Sequence, residues 1–365
     1  MLKHKDHFHG SDLEKIEQIY GIKKESIISF SSNVNPLGIS DYLKQTLGKE
    51  LDKITSYPDR KYTALRESIG RYVCAPPEHI IVGNGSTELI SLFIQEHNVK
   101  KALILGPTYS EYEREVGLDG GISLYYPLKE EDNFTINMQD FISHLDSSID
   151  LLILCNPNNP TSGAINKKDM RKILSLCMET NTFVLVDETY VEFSPNPKDI
   201  SAISLTNSYS NLAVLRGTSK FFAAPGLRLG YAVTGNEELK RRILTKQNPW
   251  AINTLAEIAG RIMFEDKDYQ QKTYEFISHE KERLAKKLAD IPHLKVYPSA
   301  ANFFLCRIKK PSLSASDIFD ACIREGLMIR NCASFPFLDE SYFRFCIMKK
   351  DDNDHLLSIL KNLLS

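Results

Sequence analysis

Lys220 and Arg228 are the pair of side chains in this 365-residue chain whose types and spacing most directly indicate chemistry. Lys220 follows Ser219, and Arg228 comes eight residues later at the end of a Pro-Gly-Leu-Arg run. The segment therefore offers a primary amine beside a hydroxyl and a guanidinium, two groups that bind phosphate. Pyridoxal 5′-phosphate (PLP) needs this combination, because its aldehyde forms a Schiff base with a lysine and its phosphate must be held. We predict that Lys220 carries the Schiff base and that Ser219 and Arg228 bind the phosphate.

A Gly-Asn-Gly-Ser-Thr stretch upstream supplies a second candidate for phosphate binding. Gly85 lets the backbone approach an anion, and Ser86 and Thr87 open an apolar helix. The free N–H groups and the positive dipole end of that helix favour a phosphate. Taken alone, the stretch fits an ordinary helix N-cap equally well.

Four further side chains follow apolar runs in a consistent order. Tyr109 can stack on a flat cofactor, and Asn159, in a rigid Asn-Pro-Asn-Asn-Pro turn, can aim its amide into a cleft at the edge of a sheet. Asp187 paired with a pyridine nitrogen would keep that nitrogen protonated, so that the ring accepts electrons. Tyr190 could hydrogen-bond the phenolic oxygen of the ring. Each residue also fits a turn, cap or core position, but their order at successive strand ends indicates a PLP site.

Seven short apolar runs must form the sheet that positions these residues. Several are continuously apolar rather than alternating, which is typical of strands covered by helices on both faces. The intervals between the runs fit helical crossovers, such as residues 168–180, and predict an α/β fold. The runs are Ile80–Val82, Ala102–Leu105, Ile122–Tyr126, Leu151–Leu154, Phe183–Val186, Leu212–Leu215 and Leu229–Val233.

The chain after about residue 250 predicts a second, smaller α+β domain. A long charged helix there has an apolar face formed by Tyr274, Ile277, Leu284 and Leu288. The remaining elements are predicted as strands at 302–306 and 342–346 and helices at 315–325 and 354–364.

Composition and charge exclude several classes of function. Hydrophobic residues make up 42% and charged residues 25%, and the net charge of −2 gives no reason to expect nucleic acid or a membrane surface as a partner. No apolar run approaches the roughly 20 residues that a membrane helix needs. The start of the chain lacks an apolar signal core, so we expect a cytoplasmic protein. The seven cysteines have no spacing typical of a metal site. The histidines at 4, 7 and 9 could indicate a metal site, but histidines near the start of a chain are more often solvated, and we expect no metal.

Together these motifs resemble the class I/II aminotransferase family of PLP fold type I, over nearly the whole chain. The resemblance implies a large domain with a seven-stranded mixed, mostly parallel sheet between helices, plus a smaller α+β domain. It implies a large PLP-binding domain at 46–255 and a small domain at 256–365. Residues 1–45 would form an N-terminal arm that closes the active site and joins the small domain.

The resemblance also implies roles for individual residues. Lys220 resembles the PLP lysine, Asp187 the pyridine partner, Tyr109 the stacking aromatic, and Asn159 and Tyr190 the ligands of the phenolic oxygen. The residues that resemble the phosphate-binding cup are Gly85, Ser86, Thr87, Ser219 and Arg228.

Three further positions bear on the cofactor site. Tyr57 resembles the tyrosine that is lent to the partner subunit's phosphate, which implies a homodimer with shared active sites. Gly217 stands where relatives usually carry Ser or Thr. Ser162 is an extra residue within the usual Asn-Pro-Thr-Gly turn.

Two branches of the family compete for this chain: histidinol-phosphate aminotransferase and the threonine-phosphate decarboxylase of cobalamin synthesis. Tyr190 favours the aminotransferase, since a Phe can occupy that place in the decarboxylase. Serine phosphate is an alternative substrate, because one methyl group discriminates by only about 1–3 kcal/mol. A non-enzymatic regulator with an aminotransferase-like domain is a rival of a different class, although no DNA-binding segment fits. The segments that resemble the decarboxylase are His9-Gly10, 30–38, 247–253 and 329–332.

A substrate with a carboxylate and a phosphate requires two cationic groups, and Arg330 and Arg344 are the candidates. Arg344 interrupts an apolar strand, where an unpaired guanidinium would be costly. His9, Gly10 and Asn33 would close the substrate site from the N-terminal arm, and Asn159 would also contact the substrate. We therefore expect a PLP-dependent decarboxylase that converts L-threonine O-3-phosphate to (R)-1-aminopropan-2-yl phosphate.

Overall fold

The computed structural model describes residues 12–365, so the predicted substrate residues His9 and Gly10 lie outside the described part. The strands are β1 (Ile28–Ser29), β2 (Ile80–Asn84), β3 (Lys101–Gly106), β4 (Ile122–Pro127), β5 (Leu151–Cys155), β6 (Phe183–Asp187), β7 (Leu212–Gly217), β8 (Leu229–Val233), β9 (Leu294–Val296), β10 (Phe303–Ile308), β11 (Leu327–Met328), β12 (Arg330–Asn331) and β13 (Tyr342–Cys346). The α-helices are α1 (Leu13–Tyr20), α2 (Asp41–Lys49), α3 (Thr63–Val73), α4 (Gly85–His97), α5 (Glu111–Leu118), α6 (Met138–Ile142), α7 (Lys167–Glu179), α8 (Pro197–Ile200), α9 (Glu237–Lys246), α10 (Thr254–Glu265), α11 (Lys267–Ala289), α12 (Ala315–Arg324) and α13 (Lys350–Leu364).

The large sheet has seven strands in the spatial order β2-β8-β7-β6-β5-β3-β4. Strand β8 pairs antiparallel with both of its neighbours, whereas all the other pairs are parallel. Each of the seven apolar runs forms one of these strands. The predicted α/β fold with a mixed, mostly parallel sheet is therefore confirmed.

Apolar clusters cover both faces of this sheet. In β6, Val184 and Val186 belong to one cluster, and Phe183 and Leu185 belong to the cluster on the opposite face. Because both faces are buried, the strand has no polar positions to alternate with, which explains its continuous apolar sequence. The carboxyl ends of the parallel strands lie along one edge, so the residues that follow β3, β5, β6 and β7 converge there.

A second sheet is antiparallel and has four strands in the order β12-β13-β10-β9. Helix α11 buries Ile277, Leu284 and Leu288 as predicted, whereas Tyr274 on the same predicted face is only half-buried. Helix α12 matches the predicted helix to within one residue. Helix α13 begins at Lys350, four residues earlier than predicted, because a polar first turn precedes its buried leucines. A smaller α+β unit is therefore present, whereas the exact bounds of the two domains stay a prediction. In residues 12–365, no helix has both the length and the apolar character needed to span a bilayer.

Candidate active site

A cavity of about 460 Å³ lies at the carboxyl edge of the large sheet and is also lined by residues of the four-stranded sheet. Most of the predicted site residues meet there, although they come from eight separate segments of the chain. Those that line the cavity are Asn33, Ser86, Thr87, Tyr109, Asn159, Asp187, Tyr190, Ser219, Lys220, Arg228, Arg330 and Arg344.

Lys220 follows β7 and is half-buried, with its Nζ donating a hydrogen bond to the carbonyl of Ser32 at 2.6 Å. Burial, together with the nearby charge of Arg344, lowers the pKa of Lys220 to about 8. The neutral form of this amine, which attacks an aldehyde, is therefore a minority near physiological pH but far more abundant than for an ordinary lysine. The N-terminal segment also holds the backbone of Lys220, because the N–H of Asn35 donates to the carbonyl of Lys220 at 3.0 Å.

Asp187 ends β6 and is buried, with three hydrogen bonds to its carboxylate. The N–H and hydroxyl of Thr189 donate to Oδ1 at 2.9 and 2.6 Å, and the hydroxyl of Tyr112 donates to Oδ2 at 2.7 Å. These three donors fix the orientation of the Asp187 carboxylate. Sequence reasoning found Asp187 but missed Tyr112 and Thr189. Tyr112 lies in the first turn of α5, and its residue type and position carried no signal that separates it from a core tyrosine.

The first turn of α4 and Arg228 form a cradle for an anion. The side chain of Asn84, the N-cap residue, caps none of the helix N–H groups. Gly85 has φ +76°, and a Cβ at this position would collide with the guanidinium of Arg228. Glycine is therefore required for the guanidinium to lie against the helix N-terminus, where both favour a phosphate.

Arg344 lies deep in the cavity wall and is only 4% exposed. Its guanidinium donates to Oδ1 of Asn159 and to the carbonyl of Ser31, and it lies over the ring of Phe303 at 5.3 Å. These contacts compensate the burial of the charge that the sequence marked as costly. Nε of Arg344 has no hydrogen-bond partner within residues 12–365.

Asn33 connects the N-terminal segment to the cofactor residues. Its Nδ2 donates to the hydroxyl of Tyr190 at 3.3 Å, and its carbonyl accepts from Asn302 at 3.0 Å. Asn33 has φ +56°, and its Oδ1, like the hydroxyl of buried Ser31, is unpaired in the described part of the chain. Backbone strain and unpaired buried atoms are costs that concentrate at functional sites.

Arg330 and Arg344 are direct cross-strand neighbours on β12 and β13. Arg330 donates to the hydroxyl of Ser334 at 2.9 Å and lies over the ring of Phe335 at 5.3 Å. Burial lowers the pKa of Arg330 to about 10, and the charge of Arg344 acts in the same direction. Like charges directly opposite each other are destabilising unless an anion compensates them.

Two predicted cofactor residues, Gly85 and Tyr57, are not among those that line this cavity, and Tyr57 lies away from it. Tyr57 is 79% exposed and packs on Trp250, with ring centroids 4.7 Å apart. Its predicted role requires a partner subunit and stays a prediction.

The two departures from the usual motifs have different structural consequences. Gly217 lines the cavity, and a Cβ there would make only an ordinary contact with the carbonyl of Leu229 at 3.5 Å. Ser162 has φ +60°, a conformation that favours glycine, and its Oγ accepts from the N–H of Ala301 at 2.9 Å. Asn159 lies in the cavity despite the additional residue.

These residues fit PLP by their own chemistry. Lys220 supplies the amine, buried Asp187 the carboxylate, and the cradle at Gly85 and Arg228 a phosphate site shaped by the absence of a Cβ. Tyr109 supplies an aromatic ring in the same cavity.

Comparisons with known proteins agree with this geometry. The family model "Aminotransferase class I and II" matches residues 25–360, and this family is PLP-dependent with fold type I. A protein of Caldanaerobacter subterraneus subsp. tengcongensis with a provisional threonine-phosphate decarboxylase name is 37% identical over 91% of this chain and 89% of its own length. The threonine-phosphate decarboxylase of Salmonella typhimurium is 32% identical over 98% of this chain and 96% of its own length.

A solved structure comes from the other branch. The histidinol-phosphate aminotransferase of Clostridium acetobutylicum superposes with a TM-score of 0.86 and is 35% identical, covering 92% of this chain and 98% of its own. The similarity to both branches confirms the enzyme class and the cofactor but leaves the reaction to be argued from the site. The chain belongs to the class I and II aminotransferase family of PLP-dependent enzymes.

Proposed function

We propose that the protein is a PLP-dependent decarboxylase of L-threonine O-3-phosphate that produces (R)-1-aminopropan-2-yl phosphate for cobalamin synthesis. The observation that carries the proposal is the pair Arg330 and Arg344, which face one cavity from neighbouring strands beside Lys220. Two adjacent guanidiniums suit a small substrate with two anionic ends. The threonine-phosphate decarboxylase names of two relatives support the same reaction.

The charge of the cavity supports an anionic substrate in addition to the cofactor phosphate. The cationic residues that line it are Lys220, Arg228, Arg330 and Arg344, and the acidic ones are Glu113 and Asp187. Glu113 is exposed and accepts a hydrogen bond from Tyr125 at 3.1 Å. Because Asp187 is assigned to the cofactor ring, Glu113 is the acidic residue left on the substrate side of the lining, where Arg330 and Arg344 supply two positive charges. This positive charge attracts a substrate with two negative groups.

When bound, PLP supplies an aldehyde and a ring that accepts electrons from the substrate α-carbon. Asp187, whose carboxylate is oriented by Tyr112 and Thr189, would pair with the pyridine nitrogen and keep a proton on it. Tyr190 and Asn159 would hydrogen-bond the phenolic oxygen. With its lowered pKa, the Lys220 amine can release and accept a proton near neutral pH, and it would return one to Cα after CO₂ has left.

The choice between decarboxylation and transamination depends on which bond at Cα is aligned for cleavage. Arg344 and Arg330 would hold the carboxylate and phosphate ends of the substrate, while Asn33 would close the site. Binding at these remote groups fixes the rotation about the bond from nitrogen to Cα. Substrate binding energy is thereby used to select the bond that breaks.

Histidinol-phosphate transamination is the second candidate. The similarity to the Clostridium acetobutylicum structure and the presence of Tyr190 favour it. Serine phosphate is an alternative substrate for the same decarboxylation. It differs from threonine phosphate by a single methyl group, which allows the site only modest discrimination between the two.

A homodimer with shared active sites belongs to the proposal. Tyr57 is exposed beside Trp250, and Leu51 and Ile54 are more than half exposed nearby in sequence. Exposed apolar side chains of this kind are typical of an interface.

Mixing Tyr57→Phe and Lys220→Ala subunits should restore activity above the mean of the two variants, because one site of the hybrid then has both residues. A fully active monomer in sedimentation would contradict the dimer. The cytoplasmic location expected from the sequence also stays part of the proposal.

The reaction is tested by two parallel assays of the holoenzyme. One contains threonine phosphate alone and is followed for CO₂, and the other contains histidinol phosphate with 2-oxoglutarate and is followed for glutamate. We expect CO₂ in the first and little glutamate in the second. Glutamate without CO₂ would replace the decarboxylase by the aminotransferase.

A further inference from the structure

The loop between β12 and β13 places a serine hydroxyl beside the outer guanidinium of the cavity. Ser334 accepts a hydrogen bond from Nη2 of Arg330 at 2.9 Å, and both residues line the cavity. The next residue, Phe335, lies under the guanidinium, with its ring centroid 5.3 Å from the Arg330 Cζ. One short segment therefore holds Arg330 from two sides.

Local hydrogen bonds fix the position of Ser334. Oδ1 of Asn331 accepts from the N–H of Ala333 at 2.9 Å, and the amide of Asn331 donates to Ser316 and Glu340, both at 3.0 Å. The N–H of Phe335 donates to the carbonyl of Cys332 at 2.9 Å. A side chain on such a turn is oriented before a ligand arrives, which reduces the entropic cost of binding.

The two guanidiniums differ in depth, and this difference assigns them to different ends of a substrate. Arg344 is 4% exposed and already bonded to Asn159 and Ser31, whereas Ser334 beside Arg330 is exposed at the mouth of the cavity. A phosphate has three terminal oxygens and needs more donors than a carboxylate. The mouth offers the guanidinium and the serine hydroxyl together. A hydroxyl that accepts one hydrogen bond still carries a proton that it can donate.

We propose that Ser334 is a specificity-determining residue that binds the phosphate of the substrate together with Arg330. It accepts from the guanidinium and donates to a phosphate oxygen, so that Arg330 is oriented and the phosphate gains a further donor. The proposal rests on the proposed function only in that the substrate carries a phosphate, which holds for both candidate reactions.

The test compares Ser334→Ala with Ser334→Thr, which keeps the hydroxyl, and with Ser341→Ala. Ser341 lies on the same loop and bonds Asp339 instead of the cavity residues, so it is the matched control. The two measurements are the KM and kcat for threonine phosphate and the dissociation constant of inorganic phosphate for the holoenzyme, whose cofactor phosphate site is already filled.

We expect Ser334→Ala to raise both the KM and the phosphate dissociation constant about 10–100-fold with little change in kcat, as for the loss of one hydrogen bond to a charged group. Ser334→Thr should bring both the KM and the phosphate dissociation constant most of the way back to the wild-type values. Ser341→Ala should match the wild type in both. Unchanged phosphate binding in Ser334→Ala, or an equal loss in Ser341→Ala, would overturn the proposal. If the wild type releases no CO₂ but transaminates histidinol phosphate, the proposed function fails, and the phosphate titration still decides the role of Ser334.

Discussion

The hydroxyl of Tyr112 donates a hydrogen bond to Oδ2 of Asp187 at 2.7 Å, while the Tyr112 ring meets Tyr109 edge-on at 5.6 Å. One fully buried side chain therefore contacts both the residue assigned to the pyridine nitrogen and the residue assigned to stacking on the ring. Burial and the negative charge of Asp187 raise the pKa of Tyr112 far above its usual value, so the hydroxyl remains a donor at any working pH. If Asp187 pairs with the pyridine nitrogen, Tyr112 is a positioning residue for it.

Tyr112→Phe should lower turnover about 10–100-fold, because a hydrogen bond to a charged group contributes about 1.5–3 kcal/mol. Without this donor the carboxylate of Asp187 keeps only the two hydrogen bonds from Thr189 and is held less firmly for pairing with the pyridine nitrogen. Turnover and the pH at which the bound cofactor changes colour are the measurements. Tyr126→Phe is the matched control, since it removes a tyrosine bond to Asp140 of 2.8 Å outside the cavity. If Tyr112→Phe and Tyr126→Phe change turnover and the pH of the colour change equally, Tyr112 does not position Asp187.

The reactivity of Lys220 in the apoprotein should depend on pH with a midpoint near 8. Above this pH the amine is mostly neutral, and below it the amine is mostly protonated and unreactive. Trace acetylation followed by peptide mass spectrometry measures the midpoint, with surface lysines, whose ordinary pKa is about 10.4, as the internal reference. A midpoint for Lys220 that coincides with the surface lysines would contradict the effect of burial and Arg344. In the holoprotein, Lys220→Ala should lose the yellow colour and essentially all turnover.

The sequence predicted the sheet well, because strands buried on both faces leave a continuous apolar signal. It also placed the strand-end residues correctly, since parallel strands end at one edge and bring Asp187 and Asn159 together. The start of α13 was missed because Lys350 and the acidic residues after it form a polar first turn with no apolar periodicity.

Contacts made across the fold could not be predicted in the same way. Tyr112 reaches Asp187 over 75 residues of sequence, and a buried tyrosine in a helix is ordinarily a core residue. The backbone carbonyl of Ser32, which accepts from Lys220, has no signature in residue type. Ser334 was missed because a serine in a polar loop carries no signal until its distance to Arg330 is known.

Gly217→Ser should tighten PLP binding about fivefold, the effect of one additional hydrogen bond of about 1 kcal/mol. The backbone at 217 does not require glycine, and a Cβ would meet only the carbonyl of Leu229 at 3.5 Å. Titration of the apoprotein with PLP gives the dissociation constant. Gly217→Ala adds the Cβ without the hydroxyl, and equal affinities of the Ser and Ala variants would show that no phosphate bond is gained.

Glu192 should make the free energy of unfolding depend on pH. It is buried beside Arg216, with 3.6 Å between Oε1 and Nη1, and its Oε2 is unpaired within residues 12–365. Burial raises the pKa of Glu192 from 4.5 to about 7, although Arg216 opposes the shift. The folded state therefore binds this proton more tightly than the unfolded state. Its stabilising contribution is complete below about pH 4.5 and is lost as the pH rises through 7.

Glu192→Gln, which resembles the protonated carboxyl, should raise the Tm at pH 8 by several degrees and change it little at pH 5. Thermal unfolding of the apoprotein at both values is the measurement, with Glu67→Gln on the exposed face of α3 as the control. A difference in Tm from the wild type that is the same at pH 5 and pH 8 would show that Glu192 does not titrate between them.

The most direct test of the decarboxylase assignment is a product balance with L-threonine O-3-phosphate labelled with ¹³C in the carboxyl group. The holoenzyme receives this substrate without any keto acid, and labelled CO₂ and the phosphorylated amino alcohol are quantified together. We expect equal amounts of the two products over many turnovers, with the phosphate retained. Label that stays in a keto acid or in unreacted substrate, with no CO₂ formed, would contradict it.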